Sequence, residues 1–209
     1  MFTTFSEQIK IALQQPLPGE KAQHIMAPQH RVSTEEYLKY NPNPKKSCVL
    51  ILFYPKENKP HLVLTLRHNY KGAHSGQISF PGGKTEERDP TPEATALRET
   101  EEEIGIDSST IDIIGKLSGL YIPVSGFWVN PFVAISNQYP SFNINEKEVK
   151  ELIEVPLIEI MRNDIVSTTQ FIIKDNITIN APCYIIQGRI VWGATAMMLA
   201  ELKEVLIKL

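Results

Sequence analysis

The stretch RETEEEIGI, residues 98–106, places four carboxylates in five consecutive positions at the end of a helical pattern. A helix C-terminus already carries the negative end of the macrodipole, so acids are unfavourable there. Like charges at i,i+3 and i,i+4 spacing add roughly 0.2–0.5 kcal/mol of repulsion per pair. A sequence shaped only for stability would carry Lys or Arg instead. At roughly 100° per residue, Glu99, Glu102 and Glu103 fall within one arc of roughly 100°, and Glu101 points the other way. Arg98 lies one turn before Glu102, within pairing reach, while Leu97 and Ile104 share a stripe suited to a core. Such a trio tolerates its repulsion when a hard divalent cation sits among the oxygens, and Mg²⁺ or Mn²⁺ suits carboxylate ligands. The competing reading is a solvated acidic face.

The residues before the helix favour the ion. QISF (77–80) reads as a short strand cut off by Pro81-Gly82-Gly83, and bare glycine backbone lets an ion or phosphate approach closely. Thr91 is placed to cap the helix, Pro92 sits in its first turn, and Gly105 ends it. Elsewhere, residues 1–15 read as an amphipathic helix with Phe5, Ile9 and Leu13 on one stripe, and residues 20–46 as a turn-rich lead-in. SCVLILFY (47–54) and HLVLTLR (61–67) read as paired strands separated by PKENKP. Further strands are expected near 111–120, 128–136, 168–174 and 183–191. The polar stretch 139–151 is expected as a solvated loop, and a final helix runs from Ala194 to about Lys208. The sum is an α+β sandwich with a mixed, mostly antiparallel sheet, divided as a lead-in segment 1–46 and a main domain 47–209.

Composition narrows the functional classes. With 21 basic and 24 acidic residues among 209, and a net charge of -3, the chain lacks the basic excess of a duplex-binding domain. A nucleic-acid partner is therefore not expected. No signal peptide or membrane-spanning run is visible, which gives a cytoplasmic expectation with no membrane partner. Cys48 and Cys183 lie in apolar runs and read as buried thiols rather than a disulfide framework; the five histidines show no metal-ligand spacing. Homodimerisation is left open.

The stretch GGKTEERDPTPEATALRETEEEIGI (82–106) resembles the Nudix box: Gly, five residues, Glu, seven residues, then Arg-Glu-aliphatic-x-Glu-Glu-x-Gly-aliphatic. Gly83, Arg98, Glu99, Glu102, Glu103, Gly105 and Ile106 match. Asp89 stands where the loop Glu is expected, with one extra residue before Arg98, and Thr100 replaces an aliphatic. The resemblance implies the Nudix α/β/α sandwich, with a central catalytic helix and a C-terminal helix. It also implies metal-dependent hydrolysis of a small-molecule diphosphate. Glu99, Glu102 and Glu103 would hold Mg²⁺ or Mn²⁺, with the Gly83 carbonyl a further ligand and Arg98 orienting the glutamates.

Upstream, VLTLRHNYKGAHSGQISFPGG (63–83) resembles the signature of the coenzyme A pyrophosphatase branch at Thr65, Arg67, Gly76 and Phe80-Pro81-Gly82-Gly83, and His74 and Gln77 fit it. EVKELIEVPL (148–157) and IVWGATAMML (190–199) are similar to that branch too. The chain departs from it at His68, where a small residue is usual, and at Gly72, where a second Arg is usual. The implied reaction cleaves CoA or a derivative to 4'-phosphopantetheine and adenosine 3',5'-bisphosphate. Arg67 and Lys71 are candidates for the anionic groups of the substrate, with His74 and Gln77 beside them. Tyr121 and Phe127, in the aromatic loop 118–131, are candidates for stacking or covering the substrate, with core packing the equal alternative, and Trp128 reads as core. Glu146, Glu148 and Glu151 are candidates for a further acid near the attacking water. The alternatives are a pyrophosphatase for ADP-ribose or NADH, and a non-catalytic Nudix-fold nucleotide sensor.

Overall fold

The computed structural model describes residues 2–29, 31–69, 75–172 and 178–209. Its centre is a long strand, β1 (Lys45–Lys56), which turns through Glu57 and Asn58 into β2 (Lys59–Arg67). Both turn residues have positive φ, 52° and 59°, the geometry of a two-residue hairpin whose twist matches its strands. The two strands therefore continue through the polar stretch that separates their apolar runs. β3 (Ile78–Ser79) pairs with β2, and β4 (Gly82–Lys84) pairs with β1. After α4 (Pro92–Ile104) come β5 (Asp112–Lys116), β6 (Leu120–Ile122) and β7 (Phe127–Ile135). β7 runs parallel to β1, the one parallel pairing among the described strands, and β5 and β6 pair with it antiparallel. β8 (Val149–Pro156) closes on the other flank of β2. It takes up the end of the stretch expected as loop, because Val149, Ile153 and Val155 are buried against the sheet.

Side-chain alternation along β1 builds two cores. Cys48, Leu50, Leu52 and Tyr54 face α4 together with Ala96, Ile104 and Phe132. Ile51 and Phe53 face the opposite side, covered by α1 (Phe2–Leu13) and α6 (Gly193–Leu206). All six of these strand side chains are fully buried, and each such burial is worth about 2 kcal/mol. The result is an α/β/α sandwich, with a mixed sheet between α4 on one face and α1 with α6 on the other.

Two short helices, α2 (Glu20–Gln23) and α3 (Thr34–Tyr40), occupy the expected lead-in. The buried Glu201 of α6 anchors this segment by accepting from the Gly19 backbone, the Gln23 side chain and the Ser118 backbone. After α5 (Leu157–Ile160), a small second sheet is formed by β9 (Val166–Ile172), β10 (Thr178–Ile186) and β11 (Arg189–Trp192). The run expected as one strand at 183–191 is thus a hairpin. Gln187 and Gly188 turn it with φ of 50° and 74°. Both cysteines are buried and free. No described helix is long and apolar enough to cross a membrane.

Candidate active site

α4 is built as its caps dictate. The Thr91 hydroxyl accepts from the Ala94 N–H at 3.2 Å, Pro92 follows, and Gly105 at φ 69° ends the helix by donating its N–H to the Glu101 carbonyl. Thr100 is fully buried where an aliphatic was expected. Its hydroxyl donates to the Ala96 carbonyl at 2.7 Å, so the polar group is satisfied inside the helix while the methyl meets the core.

Gly82 and Gly83 bring β4 against this helix. At φ 145° Gly82 is in a conformation L side chains rarely adopt, and a Cβ there would overlap the Cys48 carbonyl of β1. Its N–H donates to Glu103 Oε2 at 3.1 Å. A Cβ on Gly83 would overlap the Glu99 carboxylate, so the bare backbone is what admits that group.

Each of the three glutamates has a different environment. The Glu103 side chain is 3% exposed and meets Arg67 Nη1 at 3.2 Å. Arg67 reaches it because Val63, Thr65 and Arg67 alternate onto the α4 face of β2. Burial pushes the Glu103 carboxyl up to about 7, against the lowering effect of Arg67 and the Gly82 N–H; Glu99 and Glu148 add to the rise. Glu99 is also raised, chiefly by burial, with Arg98 opposing. Glu102, at 44% exposure, bonds Arg98 Nη1 and Arg88 Nη2, each at 3.0 Å.

Arg98 is the hub. Its Nε and Nη2 donate to the two Asp89 oxygens at 2.7 and 2.9 Å, its Nη1 donates to Glu99 and Glu102, and Nη2 also reaches the Lys84 carbonyl. The Asp89 carboxyl also accepts from the Thr95 hydroxyl and the Glu86 N–H. Arg98, first among these partners, holds it well below the usual carboxylate range. The aspartate at the expected loop-Glu position thus clamps the arginine that orients the helix acids. Arg88, which pairs with both Glu86 and Glu102, was not singled out from the sequence; its position in the charged loop TEERD carried no distinguishing signal.

With these side chains turned to their arginines, no three acid, imidazole or thiol groups converge as a ready metal cluster among the described residues. The donor set nevertheless suits a hard divalent ion. It comprises three carboxylates on one helix end, Glu99 lying against the bare Gly83 backbone and Glu103 buried with a raised pKa that a nearby cation would lower.

The remaining candidates separate. Gln77 lies beside Arg67, its carbonyl accepting the Arg67 N–H at 3.1 Å. Lys71 and His74 lie outside the described residues. Tyr121 is 5% exposed, with its ring against Tyr37 of α3, its hydroxyl accepting from Asn41 and its carbonyl accepting from Arg31. No face of it is open to a base. Phe127 packs with Ile122 against the core on the α6 side of the sheet, opposite to α4, because both faces of β7 are apolar and alternation turns it that way. Of the two readings open for these rings, packing thus holds for Tyr121, while Phe127, half-buried, is turned to the sheet face away from α4. Trp128 lies over Gly119 and donates its Nε1–H to Asn130. Of the three acids beyond β7, Glu151 is paired with Arg189, and the backbone carbonyl of Glu146 is bonded to His68. Glu148 is close enough to raise both Glu99 and Glu103.

A sequence pattern of NUDIX domains matches residues 44–167. A Yersinia enterocolitica protein named uncharacterized Nudix hydrolase NudL is 32% identical over 204 residues, covering 96% of this chain and 92% of the relative. A Yersinia pestis relative of the same name is 34% identical over 148 residues, covering 70% of this chain and 72% of its own. Among solved structures, a MutT/nudix family protein from Enterococcus faecalis superposes with a TM-score of 0.52 at 17% identity, over 93% of this chain and 76% of that one. The M. smegmatis Nudix hydrolase RenU gives a TM-score of 0.51, also at 17% identity, over 79% and 88%. These two likenesses are of fold.

Proposed function

The chain belongs to the Nudix family, and from that premise we propose that it hydrolyses the diphosphate of coenzyme A or a CoA derivative, releasing 4'-phosphopantetheine and adenosine 3',5'-bisphosphate. Residues 47–209 form the hydrolase domain, and 1–46 are packed on it. One observation carries the reading. The upstream segment 63–83 and the acidic helix meet at a single point, where Arg67 and the Gly82 N–H bond the same Glu103 carboxylate. The residues that resemble the CoA branch are thereby physically part of the acid cluster.

Mg²⁺ or Mn²⁺ held by Glu99, Glu102, Glu103 and the Gly83 carbonyl would neutralise the diphosphate and lower the pKa of a water. The chain's own groups do the rest. Arg98, fixed by Asp89, sets the orientation of Glu99 and Glu102. Arg67 spans from buried Glu103 towards solvent, at 30% exposure, and presents positive charge where an anionic substrate arrives. Glu148 accepts the proton of the attacking water, since it is the acid beyond β7 whose charge reaches Glu99 and Glu103 and which is not taken by an arginine.

The test is a substrate panel of CoA, ADP-ribose, NADH and dNTPs with Mg²⁺ or Mn²⁺. Cleavage of CoA that disappears in Glu102→Gln, with the fold intact by circular dichroism, is the expected result. Intact CoA beside cleaved ADP-ribose or NADH would move the substrate to those diphosphates, and binding without turnover of any member would make the chain a sensor.

A further inference from the structure

The loop that carries Glu148 is held by an unusual set of bonds. Asn145 donates its N–H to the Glu103 carbonyl at 2.9 Å, accepts from the Glu148 and Val149 N–H groups with its own carbonyl, and donates its side-chain amide to Glu148 Oε1 at 2.9 Å. Asn143 donates to the Ile104 carbonyl at 2.9 Å. One side of the loop is therefore fastened to the last turn of α4. On the other side Val149 pairs with Arg67 at the end of β2, and ahead of that pairing the loop has a side-chain tether. The imidazole of His68, the residue after Arg67, lies with Nε2 2.8 Å from the Glu146 carbonyl. A carbonyl only accepts, so Nε2 carries the proton. The backbone of His68 is also fixed, its carbonyl accepting from Gly76 N–H at 3.1 Å, while Arg67 N–H donates to the Gln77 carbonyl. The ring thus projects from a pinned strand end.

We propose that His68 is a positioning residue: its Nε2–H clamps the 143–148 loop to the end of β2 and so fixes Glu148 relative to Glu99 and Glu103. The inference rests on the reading of Glu148 as the acid beside the attacking water. It assigns a role to a side chain that departs from the small residue usual at this position, and a small residue could not span to Glu146. The clamp joins β2, which carries Arg67, to the loop that carries Glu148. One imidazole thereby ties the group facing the substrate anion to the group facing the water.

The test uses the full chain with His68→Ala, His68→Gln, Glu148→Gln and the His68→Ala/Glu148→Gln double variant. Glutamine retains a donor N–H at the reach of Nε2. In the metal-free protein, the amides of Glu148 and Val149 exchange about tenfold faster in His68→Ala, the ratio equivalent to one net hydrogen bond, and return towards wild type in His68→Gln. In steady-state kinetics with the cleaved member of the panel, His68→Ala lowers kcat roughly tenfold with KM nearly unchanged, His68→Gln recovers most of it, and His68→Ala adds nothing in the Glu148→Gln background. Unchanged exchange in His68→Ala overturns the clamp. So does a loss seen only in KM, or losses that multiply in the double variant. If exchange rises as expected while Glu148→Gln retains full kcat, the clamp stands and the assignment of Glu148 fails.

Discussion

Consider the folding stability of the metal-free protein between pH 5 and pH 8. Glu103 is raised from 4.5 to about 7 by burial, and each unit of difference between folded and unfolded states is worth about 1.4 kcal/mol. A carboxyl with the higher pKa in the folded state binds more protons folded than unfolded. Its favourable contribution is therefore complete below pH 4.5, drains away as pH climbs, and is gone above about 7. The loss amounts to about 3 kcal/mol across the window. Glu99 is displaced in the same direction and adds to the slope. Asp89 is depressed, so what it contributes disappears only on acidification below 3.8, outside the range. Urea denaturation in chelator, followed by tryptophan fluorescence at each pH, reads the slope. Glu103→Gln shifts absolute stability by altering the contact with Arg67, but that shift is independent of pH, so the slope is the readout. Wild type loses about 3 kcal/mol more than the variant from pH 5 to pH 8. Excess Mg²⁺ or Mn²⁺ at pH 8 stabilises wild type and leaves Glu103→Gln nearly unmoved. Parallel pH profiles for the two proteins would refute the account of a buried, cation-seeking carboxylate.

Asp89→Ala removes a nearly buried partner of Arg98 and is expected to cost about 3 kcal/mol, seen as a fall of roughly 6–12 °C in Tm by calorimetry, with loss of turnover because Glu99 and Glu102 lose their orienting hub. Gly83→Ala pushes a methyl into the Glu99 carboxylate; turnover and Mn²⁺ affinity by titration calorimetry both fall by an order of magnitude or more, while helix content by circular dichroism is retained. Thr91→Ala deletes the cap on the Ala94 N–H and costs about 1 kcal/mol in urea denaturation, with kcat preserved because the acids lie at the far end of the helix.

Where local chemistry repeats on a short period, the sequence is readable. α4 shows this best: its cap at Thr91, Pro92, the Gly105 terminus and the apolar stripe through Ile104 all lie within the segment that carries them. The hairpin turns are less readable, because Glu57-Asn58 and Gln187-Gly188 take positive φ within stretches that lack the Asn-Gly or Asp-Gly signal. β7 has apolar residues on both faces, so alternation could not tell which ring pointed towards α4, and Phe127 lies on the other side. Arg88 and Asn145 are harder still. Their roles depend on a charged loop and a polar loop arriving beside α4 from 14 residues before Glu102 and 42 residues after Glu103 respectively, and no local pattern encodes such an arrival.

The acid-rich helix end is stabilised by a counted set of partners. In the ion pairs around α4 among the described residues, five carboxylates, Glu86, Asp89, Glu99, Glu102 and Glu103, meet three guanidiniums, Arg67, Arg88 and Arg98, so five negative charges against three positive leave two. Three arginines suffice to hold the side chains in place, yet not to neutralise them. If the cluster served only the fold, further cations would remove that residue of repulsion at little cost, as they do on ordinary helix surfaces. With all five ionised, a surplus of two is the charge a single divalent ion would balance. Burial, the main cause of the raised Glu103 pKa, acts in the same direction, because a cation beside that carboxylate would favour its charged form. The loop acid Glu148 sharpens the imbalance, since its charge raises Glu99 and Glu103 alike. The electrostatic strain at the end of α4 is therefore held by the fold, and a divalent ion bound there would relieve it.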